Sequence, residues 1–318
     1  MKKIPVVVIC GPTASGKTAV SVELARKLNG EVISADSMQI YKGLQIATAK
    51  PTADEMNGVV HHLVDVLDLD MDFSVADYVR QASEIISEVY SRGKLPIVCG
   101  GTGLYITSLI ENVKFDDTGN DNAIRQRLSD EAKEKGNHLL WERLYEVDPE
   151  TALKVHENNL PRVIRALEVY ELTGVTLSQH KINSRKEESP YDSCIIGLTC
   201  EDRDKLYDRI NKRVDVMVDN GLVDECRAVY EQGGLKTACQ AIGFKELIPY
   251  FNGDLTVDEC IDKIKLETRH YAKRQLTWFR NLSGIQWVYI DKFDSFEKII
   301  KNIENIVAKS KIMCYNRS

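Results

Sequence analysis

Eight residues near the start of the chain, Gly11, Pro12, Thr13, Ala14, Ser15, Gly16, Lys17 and Thr18, have the types and spacing of a phosphate-binding loop. The pattern GxxxxGK[ST] follows an apolar run, 4–10, and precedes residues of helical periodicity, 18–28. Glycines let backbone N–H groups turn inward on phosphate oxygens, and the helix N-terminus adds its partial positive charge. Lys17 supplies a point charge, and the Thr18 hydroxyl has the chemistry to ligate Mg²⁺. A chance Gly-rich turn would not come with this strand–loop–helix context, so the segment reads as a phosphate cradle.

A cradle identifies phosphate and leaves the reaction open. A nucleotide-hydrolysing enzyme with such a loop adds an apolar strand ending in a magnesium-binding Asp. Here the best apolar strand, 95–99, runs into Gly100-Gly101-Thr102-Gly103 without an acid, and Asp65 is a weaker substitute. A different carboxylate, Asp36, stands at the end of the strand expected at 31–35. In open α/β sheets the carboxyl ends of the strands form the ligand crevice, which puts Asp36 beside the cradle. The bland alternative, that Asp36 or Ser37 caps the next helix, is weakened because three polar strand ends (11–18, 36–39 and 100–103) converge on one crevice. Thr102 is suited to donate a hydrogen bond to a bridging or leaving oxygen, against an ordinary role in the turn. His61 and His62 have no metal-ligand spacing around them and read as structural.

The elements that must position these groups alternate between strand and helix. Strands are expected at 4–10, 31–35, within 59–67, at 95–99 and at 194–199, with helices at 18–28, 77–90 and from 104 onward. The fold class is α/β: a P-loop NTPase-like parallel sheet core with a helical insertion domain and a mainly helical C-terminal part. The core takes 1–112 and 194–318. The insertion, 113–193, opens on the polar, turn-rich stretch 114–122 and carries no strand signal. In the C-terminal part Phe296, Ile299, Ile300, Ile303 and Val307 share one helix face.

Composition closes off several classes. The chain has 318 residues, 43% hydrophobic and 28% charged, with Lys+Arg 42 against Asp+Glu 48 and a net charge of −6. That excludes coating of nucleic acid by bulk charge and leaves room for a local basic face. No apolar run approaches the ~20 residues needed to cross a bilayer, so no membrane partner is expected. The start, Met1-Lys2-Lys3 and an apolar run, imitates a signal peptide but passes at once into Gly11-Pro12, as a buried strand does. Cysteines 10, 99, 194, 200, 226, 239, 260 and 314 are scattered without CxxC pairs, as reduced thiols of a cytoplasmic protein.

These residues resemble the tRNA dimethylallyltransferases. The resemblance is carried by GPTASGKT at 11–18, ISADSMQIY at 33–41, ATAKPT at 47–52, HHLVD at 61–65 and GGTGLY at 100–105. It continues through PRVIRALEVY at 161–170, YDRINKRVDVMVDNGLVDE at 207–225, AIGFKE at 241–246 and TRHYAKRQLTWFR at 268–280. The blocks span nearly the whole chain in family order, with Phe244 where Tyr is common. The chain ends without the zinc-finger extension of the eukaryotic members, so the bacterial type is expected.

The resemblance implies transfer of a dimethylallyl group from dimethylallyl diphosphate to N6 of the adenosine 3′ of the anticodon, with Mg²⁺ as cofactor. It nominates Arg213 to neutralise the leaving diphosphate together with Lys17, and implies tRNA contacts at Asp36, Ser37, Met38, Gln39, Thr102, Arg125, Pro161, Arg162, Val163, Ile164, Arg165, Ala241, Gly243, Phe244, Lys245, Lys273 and Arg274. The chemistry fits the residues independently. The N6 lone pair is delocalised into the ring, so a carboxylate that takes the proton during attack helps, and Asp36 is the candidate. Growing charge on the diphosphate calls for the loop amides, Lys17, a metal on Thr18 and an arginine. Arg213 lies one turn from Arg209 on a helical run; ion pairs to Asp208 or Glu225 are the ordinary alternative for both.

A basic path for the acceptor is present despite the acidic whole. Residues 260–280 hold six basic residues (Lys263, Lys265, Arg269, Lys273, Arg274, Arg280) against two acids (Asp262, Glu267), with Tyr271, Trp278 and Phe279 interleaved. Basic groups follow phosphates, and aromatic rings stack on unstacked bases. Trp278 itself reads better as a core residue. Arg162 and Arg165 form a second basic site on the insertion, a natural clamp for an anticodon arm whose acceptor base must be flipped into the crevice. A monomer is expected. Two other enzymes share the cradle: an adenylate dimethylallyltransferase with AMP or ATP as acceptor, and a P-loop nucleotide kinase. Neither needs the helical insertion and the basic helix, and the kinase lacks its acid. A non-enzymatic RNA-binding protein would not need Lys17, Thr18 and Asp36 together.

Overall fold

Apolar side chains in unbroken succession suit a strand covered on both faces, and 4–10 forms one: β1 (Ile4–Cys10), at the centre of the sheet. The structure, a computed structural model, describes residues 3–115, 121–184, 187–233, 240–310 and 312. Cys239, Cys314 and 116–120 of the expected polar stretch lie outside the described residues. The other strands are β2 (Gly30–Ser34), β3 (His61–His62), β4 (Leu95–Gly100), β5 (Tyr191–Thr199) and β6 (Ile285–Tyr289). They form one sheet in the order β3-β2-β4-β1-β5-β6, every pair parallel.

Alternate residues of each strand feed opposite cores. Val6, Val8, Ile33, Val98 and Ile195 pack on one face with the helices Val75–Ser91 and Gly103–Ile110. Val7, Ile9, Val32, Ile97 and Ile196 pack on the other with Lys17–Leu28 and the terminal helix Phe296–Lys309. Of the apolar face expected on that last helix, Ile300, Ile303 and Val307 are buried and Ile299 is partly buried. Phe296, at the first helical position, is 41% exposed. The strand expected from 194 begins at Tyr191, and the one expected within 59–67 shrinks to two residues. Strand β6 corrects the helical reading of its segment. It is a five-residue edge strand, too short to impose a visible period on its sequence.

The chain divides into two compact units, Met1–Ile110 with Ser189–Ser318, and Glu111–Glu188. The second is helical, with Asn122–Lys135, Asn137–Val147 and Leu160–Thr173 closing over Leu128, Leu140, Leu144, Val163 and Leu167. Its fully buried carboxylate, Glu168, is met by Arg125 Nε at 2.9 Å, Arg165 at 2.8 Å and the Asp121 amide at 2.9 Å.

Both histidines of the 61–65 block have protein partners, His61 Nδ1 lying 2.9 Å from Val59 O. His62 Nε2 lies 2.7 Å from the buried carboxylate of Glu31, which also holds Arg92 at 2.7 Å and Lys94 at 2.8 Å. Burial alone would push the Glu31 carboxyl up, but hydrogen bonds from Lys94, His62 and Arg92 outweigh it and hold the group down at about 2. A folded-state value below the unfolded one stabilises the fold above the unfolded value, and the gain is lost as pH falls through the folded one. Stability should therefore drop between about pH 4.5 and pH 2. Glu31→Gln should flatten that part of the curve, by ~1–3 kcal/mol once solvent screening of the exposed Arg92 and Lys94 heads is allowed for. Urea melts of both proteins across this range check it, and parallel curves would refute it.

Candidate active site

Three turns at the carboxyl ends of β1, β2 and β4 build the site, and short backbone links hold them together. Ala35 N donates to Cys99 O at 2.8 Å, and Thr102 N donates to Ala35 O at 3.0 Å. The approach is so close that a Cβ on Gly100 would lie 2.2 Å from Ala35 O. This gives a steric reason for the acid missing at the end of β4: no side chain fits there.

The phosphate loop runs from Gly11 to the start of helix Lys17–Leu28, whose N-cap Gly16 takes the left-handed φ of 84° that a Cβ would strain. Ser15 Oγ donates to Pro12 O at 2.8 Å, and Lys17 Nζ donates to the same oxygen at 2.6 Å, folded back across its own loop. Burial pushes the Lys17 ammonium down to about 8, with the Arg213 charge adding to the shift and the Asp36 carboxylate opposing it. A partly desolvated cation at the mouth of a ring of amides is a strong attractor for a diphosphate.

Asp36 is half-buried and does two things at once. Its Oδ1 accepts from Met38 N at 2.9 Å and Gln39 N at 3.3 Å, so the capping alternative is physically present. The same carboxylate lines a pocket of about 280 Å³ together with Lys17, Thr18 and Arg213. Thr102 Oγ1 accepts from Ser37 N at 3.0 Å and lies 3.4 Å from Ser37 Oγ, joining the β4 turn to the β2 turn.

Arg213 comes from helix Arg203–Asp219 and lies 3.5 Å from Ala49 O. Burial lowers its affinity for a proton, opposed by the charges of Asp36 and Glu55. One turn earlier, Arg209 Nε donates to Ala14 O of the phosphate loop at 2.9 Å. Glu225 does not take up either arginine; its carboxylate accepts from Ile46 N and Ala47 N at 2.8–3.0 Å and fixes the loop that walls the pocket. Asp65 is likewise spoken for: it pairs at 2.6 Å with Lys50, a lysine whose side chain is almost wholly buried.

Of the residues singled out in the sequence, Thr13, Lys17, Thr18, Asp36, Ser37, Met38, Gln39, Arg213, Ala241, Lys245 and Arg274 line this one pocket. Gly11, Pro12, Ala14, Ser15 and Gly16 shape the turn beneath it. Lys273 is exposed on the helix Val257–Arg280, and Gly243 donates its amide to the buried Glu246 at 2.9 Å. Phe244 is 1% exposed, so its ring is a core group. In the helical unit Val163 and Ile164 are packed into the core for the same reason, while Pro161 and Arg162 are exposed. Trp278 corrects the core assignment in the other direction. It is 39% exposed, donating from Nε1 to Thr107 Oγ1 at 3.0 Å, with its ring over Gly103.

The helix Val257–Arg280 brings four further residues to the pocket, Ile264, Thr268, Tyr271 and Gln275; of the last two, the sequence marks Tyr271 only as one of the aromatics among the cations and does not single out Gln275. These two stand at i,i+4 on the side of the helix where Ile264, Ala272 and Phe279 are buried. A glutamine at a position that the period assigns to the core was the signal, since a buried amide needs partners. Among the described residues there is no group of three His, Cys, Asp or Glu that could hold a metal ion.

The family model described as IPP transferase matches residues 39–282. A tRNA dimethylallyltransferase of Acetivibrio thermocellus is 51% identical over 305 residues, 95% of this chain and 97% of that protein. The Bacillus subtilis tRNA dimethylallyltransferase is 48% identical over 286 residues, 90% of each chain. Among solved structures, the tRNA isopentenylpyrophosphate transferase of Bacillus halodurans aligns over 96% of both chains with a TM-score of 0.72 and 46% identity. A eukaryotic dimethylallyltransferase acting on tRNA aligns over 99% of this chain and 80% of its own, with a TM-score of 0.80 and 30% identity. With the phosphate loop, the carboxylate and the arginine gathered in one pocket and these relatives matched over nearly its full length, the chain belongs to the IPP transferase family, alongside the tRNA dimethylallyltransferases.

Proposed function

We propose that the protein transfers the dimethylallyl group of dimethylallyl diphosphate to N6 of the adenosine 3′-adjacent to the anticodon in tRNA, releasing diphosphate. The observation that carries this reading is the meeting of Lys17, Thr18, Asp36 and Arg213 in one pocket. The N6–carbon bond forms as the carbon–oxygen bond to diphosphate breaks, and the N6 proton passes to the Asp36 carboxylate. The loop amides, Lys17 and Arg213 stabilise the charge growing on diphosphate. Thr102, which is not among the residues that line the pocket, is proposed to act from the turn that it shares with Ser37.

Mg²⁺ fits the donor set. The Thr18 hydroxyl is an oxygen donor in the pocket and would hold the ion, which is commonly bound by one or two protein oxygens with substrate phosphates and water. When bound, it would neutralise diphosphate charge. The proposed path of the RNA follows the exposed basic side of helix Val257–Arg280. No helix among the described residues is long and apolar enough to cross a membrane. The cytoplasm is the compartment proposed, in keeping with six buried, unpaired cysteines, and the active form is proposed to be a monomer.

One assay tests the reaction: labelled dimethylallyl diphosphate offered with AMP, ATP or an anticodon stem-loop RNA. Label should enter only the RNA; label in AMP or ATP, or phosphate transfer from ATP, would replace this reading.

The basic helix gives a second test. Lys273→Ala or Arg274→Ala should weaken stem-loop binding and lower the slope of log K against log salt by about 1 for each phosphate no longer neutralised. An unchanged slope would mean that these cations touch no phosphate, and Arg274, stacked 5.7 Å over Tyr271, would then serve the pocket wall alone.

A further inference from the structure

Gln275 belongs to neither of the loops it touches. It sits on helix Val257–Arg280, 5% exposed, and its Oε1 accepts from Thr13 N at 2.9 Å while its Nε2 donates to Gly101 O at 2.9 Å. Thr13 is in the phosphate loop after β1, and Gly101 is in the turn after β4 that carries Thr102. One planar amide therefore clamps an N–H of the first loop to a C=O of the second. A side-chain amide can do this because it offers an acceptor and a donor at fixed separation. Its orientation follows from its partners: turned over, it would set NH₂ against N–H and oxygen against oxygen. There is no slack, since a Cβ on Gly101 would lie 2.2 Å from Nε2. One turn earlier on the helix, Tyr271 lines the same pocket.

We infer that Gln275 is a positioning residue for the transfer reaction, holding the donor's phosphate loop and the Thr102 turn at the one spacing that lets the reacting carbon and nitrogen meet. The inference rests on the reaction proposed above. The donor alone needs the phosphate loop and Arg213, and the RNA alone needs its own contacts, so neither binary affinity reports the spacing between the phosphate loop and the Thr102 turn. The step in which both are present does, and a misplacement of about 1 Å can cost ~10²-fold in rate.

Three variants separate the parts. Gln275→Glu keeps an acceptor for Thr13 N and sets an oxygen against Gly101 O. Gln275→Met keeps the length and volume without either hydrogen bond, and Gln275→Ala removes both. Single-turnover transfer to a stem-loop RNA, with dimethylallyl diphosphate and enzyme saturating, should fall ~30–100-fold in all three. The separate dissociation constants for donor and RNA should stay within about threefold of wild type. Thermal melts define a temperature at which each variant is folded, and Gln275→Met guards against collapse of the alanine variant. Folded variants that melt earlier yet turn over at the wild-type rate when saturated would overturn the inference and leave Gln275 as a packing residue. Equal losses in donor affinity and rate would overturn it as well, by making Gln275 part of the donor cradle alone. If the wild-type protein labels no RNA, the reaction itself fails and the inference goes with it; if wild type labels RNA and the saturated variants do too at full rate, the inference alone fails.

Discussion

Asp36→Asn should slow transfer by ~10²–10⁴, the usual worth of a positioned general base, and change little else. The geometry makes this substitution unusually informative. The helix-capping work of Asp36 is done by one oxygen, Oδ1, which accepts from Met38 N and Gln39 N. An asparagine carbonyl accepts the same two hydrogen bonds, so the turn should survive and the melting temperature should stay close to wild type. The amide cannot take the N6 proton at neutral pH. Donor and RNA dissociation constants should move far less than the rate, because the lost interaction strengthens only as the new bond forms. Single-turnover kinetics on a stem-loop RNA beside a thermal melt separates the two roles. A near-wild-type rate would leave Asp36 as a cap and send the search for a base to other groups of the pocket.

Lys17→Ala should weaken binding of dimethylallyl diphosphate by ~10²–10³, since truncating one partner of a desolvated charge pair costs about 2–5 kcal/mol. Stem-loop affinity should hold within about threefold, because the ammonium folds over the phosphate loop and not toward the basic helix. A pH signature accompanies it. Burial, helped by the Arg213 charge, lowers the Lys17 ammonium to about 8 in the free protein. Diphosphate prefers the charged form, so binding above that pH must take up a proton. Affinity should be level below about pH 8 and fall above it, approaching tenfold per pH unit. Among the neighbouring groups, burial pushes Cys10 up to about 12, raises Cys99 and Tyr271, and lowers Arg213. Equilibrium binding between about pH 7 and 10 reads the curve, and Lys17→Ala should be flat across it. A sloping curve in the alanine variant would assign the titration to another group.

Much of this arrangement was legible before any coordinates because it is local. The strand–loop–helix sequence around 11–18 specifies its own backbone: Gly16 must take a left-handed φ, and the residues on either side must pair or coil. The apolar runs of β1 and β4 name themselves as buried strands, and Asp36 follows β2 as the crevice rule requires. What depends on contacts far apart in the chain was not legible. Glu225 holds the amides of Ile46 and Ala47, and a carboxylate at i+12 from Arg213 gives no hint of that duty. The core places of Phe244, Val163 and Ile164 and the exposure of Trp278 depend on what packs over each position, which periodicity does not specify. Strand β6 exists because β5 offers it an edge. Gln275 is the clearest case: its sequence neighbours mark a basic helix, while its function is set by two loops 262 and 174 residues away. A sequence states which atoms can donate, accept or take a proton; only the folded chain decides which of them meet, because hydrogen bonding and burial act over a few ångströms of space whatever the distance along the chain.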